Sequence, residues 1–217
     1  MTKTTRKYAA ALVGTAALIA GASAVASAES GEHHKSTTHQ TAPHQHDSYG
    51  RIKVRSGIPA AAHVFTLTSP DLSETHKIPA NAWANGFGCT GGNKQIRLKW
   101  SGAPRTARSY AVSMQDVDTT TGSGFWHWMT WDIPASQHSL GRTLPSGAVA
   151  GTNDAGAPGY LGPCPPAGDI THHYKITVYA LDTANLKLNA ATTPAVAAVT
   201  MSNHIVGYGR ITATAHR

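Results

Sequence analysis

Three segments of this chain carry side chains that could bind an anion, bind a metal ion or move a proton. The candidate residues in these segments are Asp116, Asp118, His127, His172, His173 and Tyr174. A carboxylate can fix the orientation of an imidazole, whose other nitrogen then donates a hydrogen bond, and a tyrosine hydroxyl adds a further donor. Two imidazoles and one carboxylate could instead bind a metal ion. Each hypothesis requires the three segments to meet in space.

Strand periodicity predicts which of these side chains point toward a core, because successive side chains of a β-strand face opposite sides. A strand over 109–116 places Asp116 on the apolar face that carries Val112 and Met114. Asp118 continues this alternation if the strand stays regular. In the next predicted strand, over 126–133, His127 shares its parity with Met129, Trp131 and Ile133.

The strand predicted over 173–181 separates two neighbouring histidines. His172 and Tyr174 continue the apolar alternation of Ile176 and Val178, whereas His173 falls on the opposite, more polar side. Buried imidazoles and carboxylates are costly unless they are paired, so their place at the ends of apolar faces favours a shared site. His172 is therefore the better candidate of the two histidines.

The remaining pattern predicts a mainly β domain over 61–217. The chain has 13% charged residues, 21 Gly and 12 Pro, which suits a turn-rich protein with many strands. Further strands are predicted over 64–68, 96–100 and 209–215. One helix is predicted near the C-terminus, with Thr193 as its N-cap, Pro194 in its first position and good helix formers over 195–201.

The first 60 residues predict export rather than a folded domain. Residues 1–28 have a basic start, an apolar run and the small-residue sequence Ala26-Ser27-Ala28, which together are typical of a secretory signal. Their removal would take the formal net charge from +7 to +4, since Lys3, Arg6 and Lys7 are lost with no acid. No basic block remains, so we expect no nucleic-acid partner and no stable membrane span in the mature chain.

Residues 29–60 are predicted to be a disordered, histidine-rich tether. The histidines that distinguish this segment are His33, His34, His39, His44 and His46. Large apolar side chains are almost absent, so the segment cannot bury a core. The histidines could bind Zn, Cu or Ni loosely, or the segment could be a soluble spacer.

Cys89 and Cys164 are the only two cysteines of the chain. An isolated pair in an exported protein predicts one disulfide, and two buried free thiols are the alternative.

The ordered set of motifs resembles the phosphatidylethanolamine-binding protein family, over about 64–215. Residues 116–120 resemble its Asp-Pro-Asp-Ala-Pro box, and 125–128 resemble its Trp-x-His box. Residues 159–168, followed by 172–174, resemble its Gly-Pro-Pro loop and His-Arg-Tyr strand. The match is closest to the exported bacterial branch that is called Raf-kinase-inhibitor-like. That branch has early and late cysteines in the positions of Cys89 and Cys164, which supports their pairing.

The resemblance implies a β-sandwich with a small pocket for phosphate-like groups, including phospholipid head groups. Carried over by position, the ligand-binding residues would be Asp116, Asp118, Phe125, His127, Tyr160, Gly162, Pro166, His172 and Tyr174. Within this set, Asp118 would brace the loop, and backbone N–H groups around Gly162 would add donors. Val117 and the pair Thr119-Thr120 depart from the family pattern and could make the first box more flexible.

The function expected from these observations is an exported binding protein, periplasmic or secreted, without a cofactor. Regulation or inhibition of a partner protein is a role that the resemblance implies. Metal binding by the tether is an alternative. A phosphoester-processing enzyme is a further one, but the chain has no Gly-x-Ser-x-Gly motif and the candidate Asp and His residues come with no nucleophile.

Overall fold

The computed structural model describes residues 57–217. The predicted signal segment, 1–28, and all but the last four residues of the predicted tether, 29–60, lie outside this part. The strands are β1 His63–Val64, β2 Thr66–Thr68, β3 Asn85–Gly86, β4 Cys89–Thr90, β5 Leu98–Ser101, β6 Ser109–Asp116, β7 Phe125–Pro134, β8 Ser139–Leu140, β9 Val149–Ala150, β10 His172–Leu181 and β11 Ile205–Ala215. Helix α1 spans Pro194–Ser202, and a 3-10 turn spans Ala80–Ala82.

The main core lies between two sheets. A six-stranded sheet has the order β1-β11-β10-β6-β7-β9, and a three-stranded sheet has the order β2-β5-β8. Apolar residues of both sheets form one buried cluster, which includes Leu67, Trp100, Val112, Trp128 and Ile176. Burial of such side chains contributes about 1.5–3 kcal/mol each, so this cluster is a principal source of stability. The fold is therefore the mainly β, sandwich-like architecture that the sequence predicted.

The other face of the large sheet is partly covered by α1. Ala197 and Met201 of the helix pack in a second buried cluster with Met129, Trp131 and Tyr179. The helix lies where it was predicted, with Thr193 at the N-cap position in an extended conformation, but the Thr193 side chain makes no capping hydrogen bond. Because both faces of the large sheet are packed, its central strands are buried along most of their length.

Most predicted strands are confirmed within one or two residues. The strand predicted over 209–215 begins four residues earlier, at Ile205, and the predicted 64–68 strand is not continuous. It is divided at Phe65 into β1, which pairs with β11 in the large sheet, and β2, which pairs with β5 in the small one. Phe65 itself is buried in the main core. The chain thus passes from one sheet to the other at a single apolar residue.

A β-bulge in β7 changes the direction of His127. Trp128 pairs with Met114 and Trp126 with Gln115, so His127 is an extra residue between two consecutive pairs. In a bulge, the alternation of faces is interrupted. The prediction that His127 shares a face with Met129 is therefore wrong, because Met129 packs in the second cluster while the His127 ring lies 5.3 Å from the ring of Tyr174, a member of the main core.

The predicted disulfide joins Cys89 of β4 to Cys164 in the loop before β10, with 5.9 Å between their Cα atoms. Arg217 lies beside it, and its Nη1 donates hydrogen bonds to the Gly88 carbonyl oxygen at 2.6 Å and to the Cys89 sulfur at 3.2 Å. The Arg217 carbonyl oxygen accepts a hydrogen bond from the Gly168 N–H. Three distant segments of the chain are thus held together at this corner.

Removing the disulfide should lower the free energy of unfolding by about 4 kcal/mol, because the bond closes a loop of 75 residues. Denaturant titration of the double variant Cys89→Ser, Cys164→Ser checks this, with wild type in the presence and absence of reductant alongside. The variant should not respond to reductant. An equal midpoint for oxidised wild type and the variant would contradict the prediction.

Candidate functional site

A cavity of about 200 Å³ opens at the edge of the large sheet where β6 ends and where β7 and β10 begin. Its lining residues are Phe87, Asp116, Thr119, Phe125, His127, Leu161, Gly162, Cys164, His172 and Tyr174. Sheet register accounts for part of this set, because Phe125, Asp116 and Tyr174 are direct neighbours across three adjacent strands. The three segments identified in the sequence therefore do meet in space.

Asp116 and His172 form a buried pair in the wall of the cavity. The Asp116 Oδ2 lies 2.7 Å from the His172 Nδ1, and both side chains are almost fully buried. The second imidazole nitrogen, Nε2, lies 3.2 Å from the Oδ2 of Asp169, a loop residue. Burial lowers the pKa of His172, but the hydrogen bonds to Asp116 and Asp169 outweigh burial and leave the pKa above its ordinary value of 6.5. This arrangement favours an imidazolium with one N–H directed to each carboxylate.

His127 has the opposite protonation preference. Its Nδ1 lies 3.2 Å from the Leu161 carbonyl oxygen, and because a carbonyl only accepts, Nδ1 must carry the proton. Burial lowers the pKa of His127, although the charge of Asp116 partly opposes that shift. The ring is therefore neutral at pH 7, and its Nε2 is an unprotonated hydrogen-bond acceptor. The imidazole that Asp116 orients is His172, and His127 is oriented by the loop.

Tyr174 presents a buried hydroxyl to the same cavity. Its ring lies between the two imidazoles, with centroids 5.3 Å from His127 and 6.5 Å from His172. Its side chain is fully buried, and by distance and angle the hydroxyl makes no well-formed hydrogen bond within the described residues, although the Asp116 carboxylate lies close enough to interact with it. Burial, followed by the negative charge of Asp116, raises the pKa of Tyr174, so the hydroxyl stays protonated. A buried donor without an acceptor costs about 1–3 kcal/mol, which an oxygen atom of a ligand could offset.

The loop of Gly162 closes the cavity from the side of the 3-10 turn. A Cβ atom on Gly162 would lie 2.2 Å from the Ala82 carbonyl oxygen, so only glycine permits this approach. The Gly162 N–H donates to the Asn93 Oδ1 at 2.7 Å, and the Leu161 N–H donates to the His127 carbonyl oxygen. These two N–H groups are therefore used within the protein, contrary to the expectation that N–H groups around Gly162 face a ligand.

Three of the nine predicted ligand-binding residues lie outside the cavity lining. The Asp118 carboxylate accepts hydrogen bonds from the backbone N–H of His173, at 2.7 Å, and lies 2.8 Å from its Nδ1, which is the bracing role that was expected. The Tyr160 hydroxyl donates to the Ala82 carbonyl oxygen, and its ring packs on Trp128. Pro166 is exposed. The other six predicted residues line the cavity.

Sequence reasoning missed several residues of the cavity, and all of them lie in loops or turns. Phe87 follows a two-residue strand, and Thr119 was noted only as a departure from the family pattern. Asp169, which contacts His172 from outside the cavity lining, was not considered at all. The turn sequence Gly86-Phe87-Gly88 directly before Cys89 was the one available signal for Phe87. Period-two reasoning gives no direction for side chains outside strands.

The metal hypothesis gains no support from the described part of the chain. Between residues 57 and 217, no group of three His, Cys, Asp or Glu side chains could hold a metal ion. Both nitrogens of His172 already contact carboxylates. The five histidines of the predicted tether lie outside the described residues.

The described residues also contain no helix that is long and apolar enough to cross a membrane.

Comparison with known families and proteins gives one consistent result. Residues 68–216 match the profile of the family described as phosphatidylethanolamine-binding protein. The UPF0098 protein YbcL of Escherichia coli is 37% identical over 161 residues, which is 70% of this chain and 88% of YbcL. The "Putative lipoprotein LppC" of Mycobacterium tuberculosis is 35% identical over 155 residues, which is 71% of this chain and 73% of LppC.

Solved structures agree with the sequence comparison. The crystal structure of Escherichia coli YbcL, described as a member of the mammalian PEBP family, superposes with a TM-score of 0.68 at 36% identity and covers 70% of this chain and 98% of YbcL. A structure described as a homologue of phosphatidylethanolamine-binding protein, CT736 from Chlamydia trachomatis, gives a TM-score of 0.62 at 27% identity. It covers 72% of this chain and 99% of CT736.

Replacing Asp169 with Asn should lower the pKa of His172 in the folded protein, because one of the two carboxylates that raise it is lost. Histidine titration followed by NMR measures this directly. The raised pKa also stabilises the fold, fully below the unfolded-state pKa near 6.5, and this contribution is lost as pH rises through the folded-state pKa. In Asp169→Asn, the stabilising contribution of His172 should be lost at a lower pH than in wild type. An unchanged titration of His172 would show that the Asp169 contact does not form in solution.

Proposed function

The chain belongs to the phosphatidylethanolamine-binding protein family, and from this premise we propose that it is an exported binding protein whose cavity holds a small anion. The ligand would be a phosphate-like group, either free or as the head group of a phospholipid. The single observation that carries this proposal is the Tyr174 hydroxyl, which is buried against the cavity and makes no well-formed hydrogen bond within residues 57–217. A ligand oxygen would satisfy it, and hydrogen bonds to charged groups contribute about 1.5–3 kcal/mol.

The two imidazoles support an anion in different ways. His172 supplies positive charge beside the cavity, and its two N–H groups are directed to Asp116 and Asp169. His127 is neutral with an unprotonated Nε2, so it repels an unprotonated ligand oxygen until it takes up a proton. A bound anion favours the protonated ring and raises the pKa of His127. Binding should therefore be coupled to proton uptake.

We further propose that the site binds its ligand without transforming it. Cys164, the lining residue with the most reactive side chain, is held in the disulfide and supplies no thiolate. Thr119, the one lining residue with an aliphatic hydroxyl, has no hydrogen bond to His127 or His172 that would activate it. Saturable hydrolysis of a panel of phosphoesters, abolished by His127→Ala, would overturn this part of the proposal.

Export is supported by two independent observations. The disulfide between Cys89 and Cys164 is of the kind that persists in oxidising compartments. One relative, LppC, carries a lipoprotein name. We propose a periplasmic or secreted location after removal of residues 1–28. Any partner protein that the chain regulates or inhibits would then be met outside the cytoplasm, so cytoplasmic kinases are not candidates.

Replacing Tyr174 with Phe separates binding from stability. The hydroxyl makes no well-formed hydrogen bond within residues 57–217, so its removal should leave the free energy of unfolding unchanged or higher. Sulfate and phosphate should bind more weakly by about 1.5–3 kcal/mol, measured by isothermal titration calorimetry. Tyr160→Phe is the matched control, because its hydroxyl bonds to the Ala82 carbonyl oxygen away from the cavity. Equal anion affinity for wild type and Tyr174→Phe would count against the proposed site.

Anion binding should strengthen as pH falls from about 8 to 6, because the lowered pKa of His127 keeps the ring neutral until an anion stabilises its charge. Sulfate is the suitable probe, since it does not titrate in this range. Calorimetry in buffers of different ionisation enthalpy should show proton uptake. His127→Ala should weaken binding by about 1–3 kcal/mol and reduce the pH dependence. Proton release on binding would contradict this account.

A further inference from the structure

Phe87 is an exposed aromatic residue at the mouth of the cavity. Its side chain lines the cavity, yet 73% of the residue is exposed to solvent. Leaving a Phe side chain in water forgoes about 1.5–3 kcal/mol of burial energy. Neither the main core nor the second cluster contains it. The residue therefore contributes little to packing where it lies.

The backbone of Phe87 is also held in an unfavourable conformation. Its φ angle is +55°, in the left-handed region that non-glycine residues rarely adopt. Such a conformation costs about 1–3 kcal/mol and persists only where the surroundings determine it. The residue thus combines two energetic costs, exposure of an apolar ring and backbone strain, at one point of the fold.

Three separate contacts hold the turn of Phe87 in place. Gly86 and Cys89 pair across the short β3–β4 hairpin. The disulfide ties Cys89 to the Gly162 loop of the cavity. Arg217 donates a hydrogen bond to the Gly88 carbonyl oxygen at 2.6 Å. A strained, exposed aromatic residue that is fixed from three directions points to a ligand contact rather than to a packing defect.

The cavity has a polar inner part and an apolar outer part. Its hydrogen-bonding groups belong to strand-end residues such as Asp116, His127 and Tyr174. The ring of Phe87, the Leu161 side chain and the sulfur of Cys164 supply apolar wall. A ligand that filled only the polar part would leave this wall in water.

We propose that Phe87 recognises an apolar substituent next to the anion, so that the preferred ligand is a phosphate monoester, or a similar anion, that carries a hydrocarbon or aromatic group. This inference rests on the proposed anion site and specifies the ligand class for it. At the apolar wall, an ammonium substituent would lose hydration without gaining a hydrogen-bond acceptor, so a hydrocarbon group suits the position of Phe87 better.

The test is calorimetry of the full chain with four probes: inorganic phosphate, phenyl phosphate, propyl phosphate and phosphoethanolamine. Phenyl phosphate should bind about 3- to 10-fold tighter than inorganic phosphate, as expected for one aromatic contact. Propyl phosphate and phosphoethanolamine have similar size and differ by one ammonium group. Propyl phosphate should bind at least as tightly. Tighter binding of phosphoethanolamine would overturn the assignment of an apolar ligand.

Phe87→Asn is the informative variant, because Asn tolerates the left-handed conformation and keeps the turn. It should lose the preference for phenyl phosphate over inorganic phosphate and melt at the same or a higher temperature. Phe87→Leu should keep part of the preference for the apolar esters. Val196→Ala, which changes an exposed apolar residue of α1 away from the cavity, is the control and should change no affinity.

The outcomes separate the two proposals. If neither phosphate nor sulfate binds wild type, the proposed function itself is wrong. If both bind but phenyl phosphate has no advantage, or if the advantage survives in Phe87→Asn, the anion site stands and the role of Phe87 is wrong. A lower melting temperature for Phe87→Asn with unchanged ester preference would assign the residue to structure alone.

Discussion

The site depends on the requirement that a buried carboxylate be fully compensated. Asp116 is almost inaccessible to solvent, and one of its oxygens lies 2.7 Å from His172 while the other accepts the Asp118 N–H at 3.0 Å. The first contact fixes an imidazole, and the second turns the chain as it leaves β6. Asp118 then binds His173 by its backbone and its ring. Compensation of one charge therefore joins the end of β6 to the start of β10 and determines where the cavity opens.

The two histidines of the cavity show how environment separates identical side chains. His172 lies between two carboxylates and is positively charged, whereas His127 faces a carbonyl oxygen and apolar rings and is neutral. Between them, Tyr174 remains a neutral donor. An acceptor, a cation and a donor are thus arranged around one small space by a sheet register and a single bulge. A site of this kind can distinguish ligands by their protonation state as well as by their shape.

The regular strands made most of the fold and half of the site predictable. In β10, unbroken alternation from residue 172 correctly distinguished His172 from His173, because each step of the strand reverses the side chain. The same reasoning failed in β7, where an extra residue in the ladder separates His127 from the face that carries Met129. Strand alternation could not predict Phe87 and Asp169, because both lie outside strands and a disulfide and loop hydrogen bonds set their positions. The family resemblance supplied the correct loop but could not show that Asn93 already uses the Gly162 N–H.

The place of β11 in the large sheet has a consequence for how the chain folds. This strand, Ile205–Ala215, lies between β1 and β10, so it joins residues near 63 to residues near 175. The large sheet is incomplete until this late segment pairs with β10 and β1. Contacts between residues so distant in sequence make folding slow. Until then, an edge of β10 stays unpaired and able to associate with other chains. A chain with this strand order is protected from such association if it stays unfolded, or bound to a chaperone, until residues 57–217 are together in one compartment.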